Sequence, residues 1–312
     1  MTARTLLVSL LAGLVLGSAA FGAAPPPPPA PAVLAMSSNA DEAARKSIQA
    51  FIDHHMKVIE TGNADEVKES RNALASVLRK SECTLVFYRT FMQLVTPSIE
   101  RILASGEDFR AVNALRVVAQ AKCEEAMSLM LAQGSATTQK DAPIRIASAA
   151  MVATMVKFGA VPAASLDGVS RRVRENVEAE TVALAASQDM MALGAVATKA
   201  EADKMTAQVR GALEELVKAT GAAATRAAQA GAGDFNAAVF RGLIAIRDVC
   251  VKLPNAEQGA VAPIVAPLLE QVEALPADAG AKAGAAQREL NAAKAVCEAL
   301  RGMLGLKGAA KK

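Results

Sequence analysis

Apolar residues in this chain recur at three- and four-residue steps, and no stretch sustains a two-residue alternation of β-branched side chains. Ile48, Phe51, Ile52, His55 and Ile59 fall on one stripe that closes at Gly62, and Val67, Leu74, Val77 and Leu78 form the next. Further stripes hold Leu85, Val86 and Met92; Phe109, Val112, Leu115 and Val118; and Ile144, Ala147, Met151 and Met155. Met205, Val209, Ala212, Leu213, Leu216 and Val217 make the cleanest one, ending at Gly221. Composition agrees. Aromatic residues are 3% of the chain against 52% hydrophobic, so the apolar content is mostly Ala, Leu, Val, Ile and Met, which suits helices better than strands. The single Asp-Gly, Asp167-Gly168, joins helical text, and there is no Asn-Gly hairpin turn. The expected class is all-α, an antiparallel helix array built either as an α-solenoid or as a helical bundle.

Local punctuation sets the expected boundaries. Ser38 and Asp41 stand as a capping pair before the first stripe. Thr96-Pro97 reads as an N-cap and first-turn proline, Gly106 as a stop, and Asp141 with Pro143 as another start.

The N-terminus reads as an export leader. Arg4 supplies a positive start, Leu6 to Leu16 an apolar run, and Ser18 to Ala24 a mostly small-residue stretch. Residues 1–24 are therefore expected to be a signal peptide cut after Ala20 or Gly22, with an uncleaved membrane anchor over Thr5–Ala24 as the alternative. The proline run from Pro25 to Pro31 opens a linker over residues 25–37, expected to be extended polyproline spacer. Residues 38–306 then form the helical domain, with residues 307–312 a basic tail. Removing the leader lowers the formal charge from +3 to +2, which gives no electrostatic reason to expect nucleic acid as a partner.

Asp108-Phe109-Arg110-Ala111-Val112-Asn113-Ala114-Leu115 softly resembles Asp141-Ala142-Pro143-Ile144-Arg145-Ile146-Ala147-Ser148-Ala149, and Asp234 to Arg241 is a looser third copy, out of phase with the other two. This pattern of acidic start, Arg, small and apolar residues resembles HEAT and armadillo-like helical repeats. The resemblance implies a stack of helix pairs whose face binds other macromolecules.

Four cysteines in an exported chain point to disulfides. The expected pairs are Cys83 with Cys123 and Cys250 with Cys297, one in each half of a duplicated domain (about 38–160 and 200–306). Matching flanks support the pairing: Val95-Thr96-Pro97-Ser98-Ile99-Glu100 against Val265-Ala266-Pro267-Leu268-Leu269-Glu270, and Cys123-Glu124 against Cys297-Glu298.

Chemistry is sparse. His54 and His55, the two histidines, are neighbours about 100° apart on a helix rather than an i,i+4 metal pair, so no metal or cofactor is expected. No nucleophile elbow or phosphate loop occurs, and catalytic residues are expected to be absent. Glu175, Glu178 and Glu180 follow Arg171, Arg172 and Arg174, and a solvated, ion-paired face is the expected reading of both groups. Those three arginines form the densest basic patch of the domain and are the candidate partner contacts. Met190 and Met191, with Met127, Met130, Met151 and Met155, are candidates for an adaptable groove or for core filling. The expected function is an exported binding or scaffolding module for a protein or envelope component. The alternative is an envelope-tethered hydrolase or other enzyme whose site gathers distant carboxylates and one histidine.

Overall fold

The computed structural model describes residues 24–159, 161–229, 232–276 and 283–306. The leader, apart from Ala24, and the basic tail lie outside the described residues. Among those described, the chain forms thirteen α-helices, two short 3-10 turns and no strand. After α1 (Pro31–Leu34) come α2 (Glu42–Thr61), α3 (Ala64–Leu78), α4 (Leu85–Ala104), α5 (Asp108–Val118), α6 (Glu124–Gln133) and α7 (Ala142–Lys157). The second part holds α8 (Leu166–Ala179), α9 (Ala183–Ala202), α10 (Thr206–Ala227), α11 (Asn236–Lys252), α12 (Asn255–Glu273) and α13 (Ala283–Met303).

Helices α2 to α13 pack in consecutive pairs, α2 on α3 through α12 on α13. Each odd-numbered helix from α3 onwards also packs on the next odd one, and each even-numbered helix on the next even one. The result is an array of helix pairs in two layers, one even and one odd. Alanine makes the close spacing possible. Ala185, Ala186, Ala192, Ala197 and Ala200 of α9 and Ala219, Ala223 and Ala224 of α10 are all buried. At the α10–α11 contact the backbone approaches so closely that a Cβ on Gly242 would sit 2.1 Å from the Thr220 hydroxyl. Among the described residues no helix is long and apolar enough to cross a membrane, and the anchor alternative over Thr5–Ala24 lies, apart from Ala24, outside them.

Several boundaries differ from those the sequence suggests. The α2 cap is Asp41, whose carboxylate accepts the Ala44 N–H at 2.7 Å, rather than Ser38. Asn63 and Glu66 form the full reciprocal box at α3. Pro97 does not start a helix; it lies inside α4, and Pro263 and Pro267 lie inside α12. All three are exposed, so the carbonyls they leave unbonded can be met by water. Thr96, no longer a cap, donates its hydroxyl to the Met92 carbonyl at 2.7 Å. Gly221 does not end α10, which runs to Ala227.

The proline-rich segment is docked rather than free. Pro29 and Leu34 are buried, the Leu34 carbonyl accepts the Thr84 N–H at 3.1 Å, and the Thr84 hydroxyl donates to the Met36 carbonyl at 2.6 Å. Thr84 also caps α4, so one residue fixes both the strap and the helix start. Burial of Leu34 contributes roughly 1.5–3 kcal/mol to this docking.

The expected disulfides are not formed. All four cysteines are free thiols with no pair at bonding distance. Cys83 donates to the Val77 carbonyl at 3.2 Å in the turn after α3, and Cys123 is the N-cap of α6. Cys250 lies in the last turn of α11 and Cys297 in the interior of α13. The flanking likeness fails locally, because Cys123-Glu124 opens a helix whereas Cys297-Glu298 is mid-helix. Burial pushes Cys123 and Cys297 up to about 12 and Cys250 to about 11. They therefore stay protonated at neutral pH and pack as small apolar side chains.

Candidate functional site

Three polar constellations bear on function, and the sequence anticipates only part of them. The first is buried. Arg145 of α7 donates to both carboxylate oxygens of Glu180 at 2.8 Å, and Glu180 also accepts the Thr181 and Val182 N–H groups at 2.8 Å. Glu180 has no exposed surface, so it is no part of a solvated face. Asp189 of α9 is nearly as buried; burial first, then the Glu180 charge, raises its carboxyl well above the ordinary range. Its Oδ2, with the Ser148 and Ser187 hydroxyls, has no hydrogen-bond partner. The Arg145–Glu180 pair fastens α7 to the α8–α9 connection.

The histidines stand elsewhere. His55 is buried in α2, with Nδ1 3.3 Å from the Ser70 hydroxyl and its ring edge-on to Phe51. Helix α2 packs on α3, α4 and α5, so the structure does not bring His54 or His55 to the carboxylates of α8 and α9. Among the described residues no group of three or more His, Cys, Asp or Glu is placed to share a metal ion.

The second constellation is the arginine patch of α8. Arg174 is held by Glu215 at 2.5 Å and by Glu178, and its own charge is thereby neutralised. Arg172 approaches Glu175 at 4.0 Å and lines a groove of about 300 Å³ between α6 and α8 with Met127 and Leu131. Arg171 is exposed, and no ion pair joins it to Glu175 at the i,i+4 spacing; Glu175 is met by Arg174 at 3.4 Å and Arg172 at 4.0 Å instead.

The third lies on the odd layer, where α3, α5 and α7 run side by side. Arg71, Arg79 and Arg116 line an opening of about 270 Å³ between α3 and α5. Arg71 donates to the amide oxygens of Asn113 at 3.0 Å and Asn72 at 2.9 Å, and Arg79 to that of Gln120 at 2.9 Å. No carboxylate lines the opening. Burial, then the Arg116 and Arg79 charges, hold Arg71 below the usual arginine range. Sharing Arg79 and Gln120, a second opening of about 430 Å³ continues over Leu78, Ala119, Lys122, Met155 and Phe158. Phe158, at the end of α7, is 66% exposed, the most of any large apolar side chain described.

The same layer carries a further groove of about 480 Å³ across α9, α11 and α13, walled by Met190, Met191, Phe240 and Ile244 with Arg241, Asp248 and Glu289 at its edge. The other candidate methionines divide. Met130 is core, while Met127 and Met155 border grooves from buried positions.

The sequence reading misses Arg71, Arg79 and Arg116. A signal was present, because Arg71 and Arg116 have no acidic residue three or four positions away, whereas the arginines of α8 are surrounded by them. What the sequence lacks is the α3–α5 adjacency that joins positions more than 35 residues apart.

The two-layer helical array and its odd-layer grooves define an all-α protein with open amphipathic faces. Comparison with known proteins finds no matching family model, no matching characterised sequence and no matching solved structure.

Proposed function

We propose that this chain is an exported, non-enzymatic helical module that binds a protein or envelope component through the odd layer of its array. One observation carries the reading. Of the six large apolar side chains left exposed among the described residues, Phe109, Phe158, Leu184, Met191 and Val251 belong to odd-layer helices or their ends, and Leu85 alone of these six to the even layer. Exposed apolar groups set beside open, polar-rimmed grooves are the usual mark of an interaction face. The repeated Asp-to-Arg pattern fits a repeat array of the HEAT or armadillo type, in which stacked pairs present one such surface. The charged start, apolar run and small residues over 1–24 support export to the periplasm, envelope or exterior, which N-terminal sequencing of the mature chain tests.

Photo-crosslinking residues placed at Phe158 and Met191, with Gln93 of α4 as the even-layer control, test the binding reading directly. Adducts confined to the two odd-layer positions are the expected result. Equal labelling at Gln93, or none at either odd-layer position, removes the proposal.

A further inference from the structure

We infer that the groove over α3, α5 and α7 takes an extended acidic peptide segment, its carboxylates meeting Arg71, Arg79 and Arg116 and an apolar side chain resting on Leu78, Met155 and Phe158. The inference rests on the binding-module reading and names the chemistry of the partner at one of its grooves.

Charge is the first argument. Three guanidiniums share one opening; the amide oxygens of Asn72 and Asn113 hold Arg71 and that of Gln120 holds Arg79, so these two are oriented without being neutralised, and Arg116 stands exposed beside them. Lys122 adds a fourth cation in the adjoining opening, and no acidic side chain lines either one. The carbonyl ends of α3 and α5 offset part of the charge of Arg79 and Arg116, which lie in or just beyond the last turns. Arg71, two turns back in α3, has no such relief. Three other arginines packed between helices are met by carboxylates, Arg145 by Glu180, Arg174 by Glu178 and Glu215, and Arg301 by Glu273. The α3–α5 set stands apart from these because its anion is not supplied by the lining of its own groove.

Shape is the second. Arg71 and Arg79 are eight residues apart, about 12 Å along the helix direction at 1.5 Å per residue, so they rise from separate turns of the groove wall. The opening also runs on into apolar surface ending at the exposed Phe158 ring. A free phosphate or a lipid headgroup uses the cations and leaves that floor uncovered. An extended chain with acidic and apolar side chains uses both, and guanidinium forks suit carboxylates in particular.

The test uses the chain from residue 25 onwards and a fluorescent peptide of glutamates flanking one phenylalanine, read by polarisation. Arms with glutamine in place of glutamate, with inorganic phosphate as competitor, and with anionic lipid vesicles separate the sources of negative charge. Binding of the glutamate peptide, with about tenfold weakening in each of Arg71→Gln and Arg116→Gln and none in Arg171→Gln/Arg172→Gln, is expected. Phe158→Ala is expected to weaken binding of the glutamate peptide severalfold. Thermal melts establish that each variant is folded, and Arg71→Lys, which keeps the charge and loses the fork, is expected to fall between the parent and Arg71→Gln. Equal binding of the glutamine peptide overturns the inference. So does equal weakening by the α8 variants, or binding of vesicles or phosphate without the peptide. A partner crosslinked at Phe158 that holds the Arg71→Gln and Arg116→Gln chains as tightly as the parent also overturns it, while leaving the binding-module reading standing. Absence of crosslinks at both odd-layer positions removes that reading whatever the peptide does.

Discussion

Two buried ionisable side chains pull the pH dependence of stability in opposite directions. Burial, and then the neighbouring His54, lower His55 to about 4 from its ordinary 6.5. Between those values the unfolded chain binds the proton and the folded chain does not, so stability rises with pH across the window and is lost as pH falls through it. The effect amounts to at most about 3 kcal/mol. His55→Gln removes it, and melting temperatures across that window are expected to vary less with pH in the variant than in the parent. Asp189 has the opposite sign. Its folded carboxyl titrates well above the ordinary 3.8, so stability falls as pH rises past that value. Asp189→Asn is therefore expected to gain on the parent as pH rises, whereas Glu180→Gln leaves Arg145 buried without its counter-charge and costs about 3–5 kcal/mol at neutral pH. Denaturant titration of both variants checks the pair of outcomes. Equal losses would show that the two carboxylates are equivalent.

Helix by helix, the chain separates what periodicity carries from what it does not. The stripes Ile48 to Ile59 and Val67 to Leu78 are buried as their spacing implies, because one side of α2 and of α3 faces a neighbour. Phe109 shares the spacing of Leu115 and Val118 yet is 53% exposed, so the apolar period of α5 runs one turn beyond the residues it buries. In α7 the buried line includes Arg145 and Ser148 with Ala149 and Val152, a polar–apolar mixture that a hydrophobicity pattern cannot register. Proline and glycine mislead for a related reason. Pro97 and Gly221 look like boundaries when only neighbours in sequence are considered, whereas packing on adjacent helices carries α4 and α10 through them. Gly242 shows the same dependence on a partner. Its missing Cβ leaves space for Thr220, whose hydroxyl donates to the Leu216 carbonyl at 2.7 Å. Gly242→Ala gains helix propensity but forces α10 and α11 apart, and a net loss of about 1–3 kcal/mol is expected in chemical unfolding. An unchanged midpoint would mean that the two helices are free to separate at that point.

At the scale of the whole molecule, composition and period suffice for the all-α class, because few strand-forming aromatics are present and alanine-rich helices need close neighbours. The arrangement of those helices is a property of pairs, and so is the candidate site. Arg71 and Arg116 become one feature only when α3 lies against α5, and the densest basic run in the sequence, Arg171 to Arg174, is largely offset by Glu175, Glu178 and Glu215 once α8 packs on α10. Local charge density therefore points to α8, while the uncompensated charge lies on the odd layer. Amide hydrogen exchange, measured with and without saturating glutamate–phenylalanine peptide, tests that assignment most directly. The account predicts slower exchange in the last turns of α3, α5 and α7, around residues 71–79, 113–122 and 154–158, and unchanged exchange in α8. Protection centred on α8, or spread evenly over both layers, would contradict it.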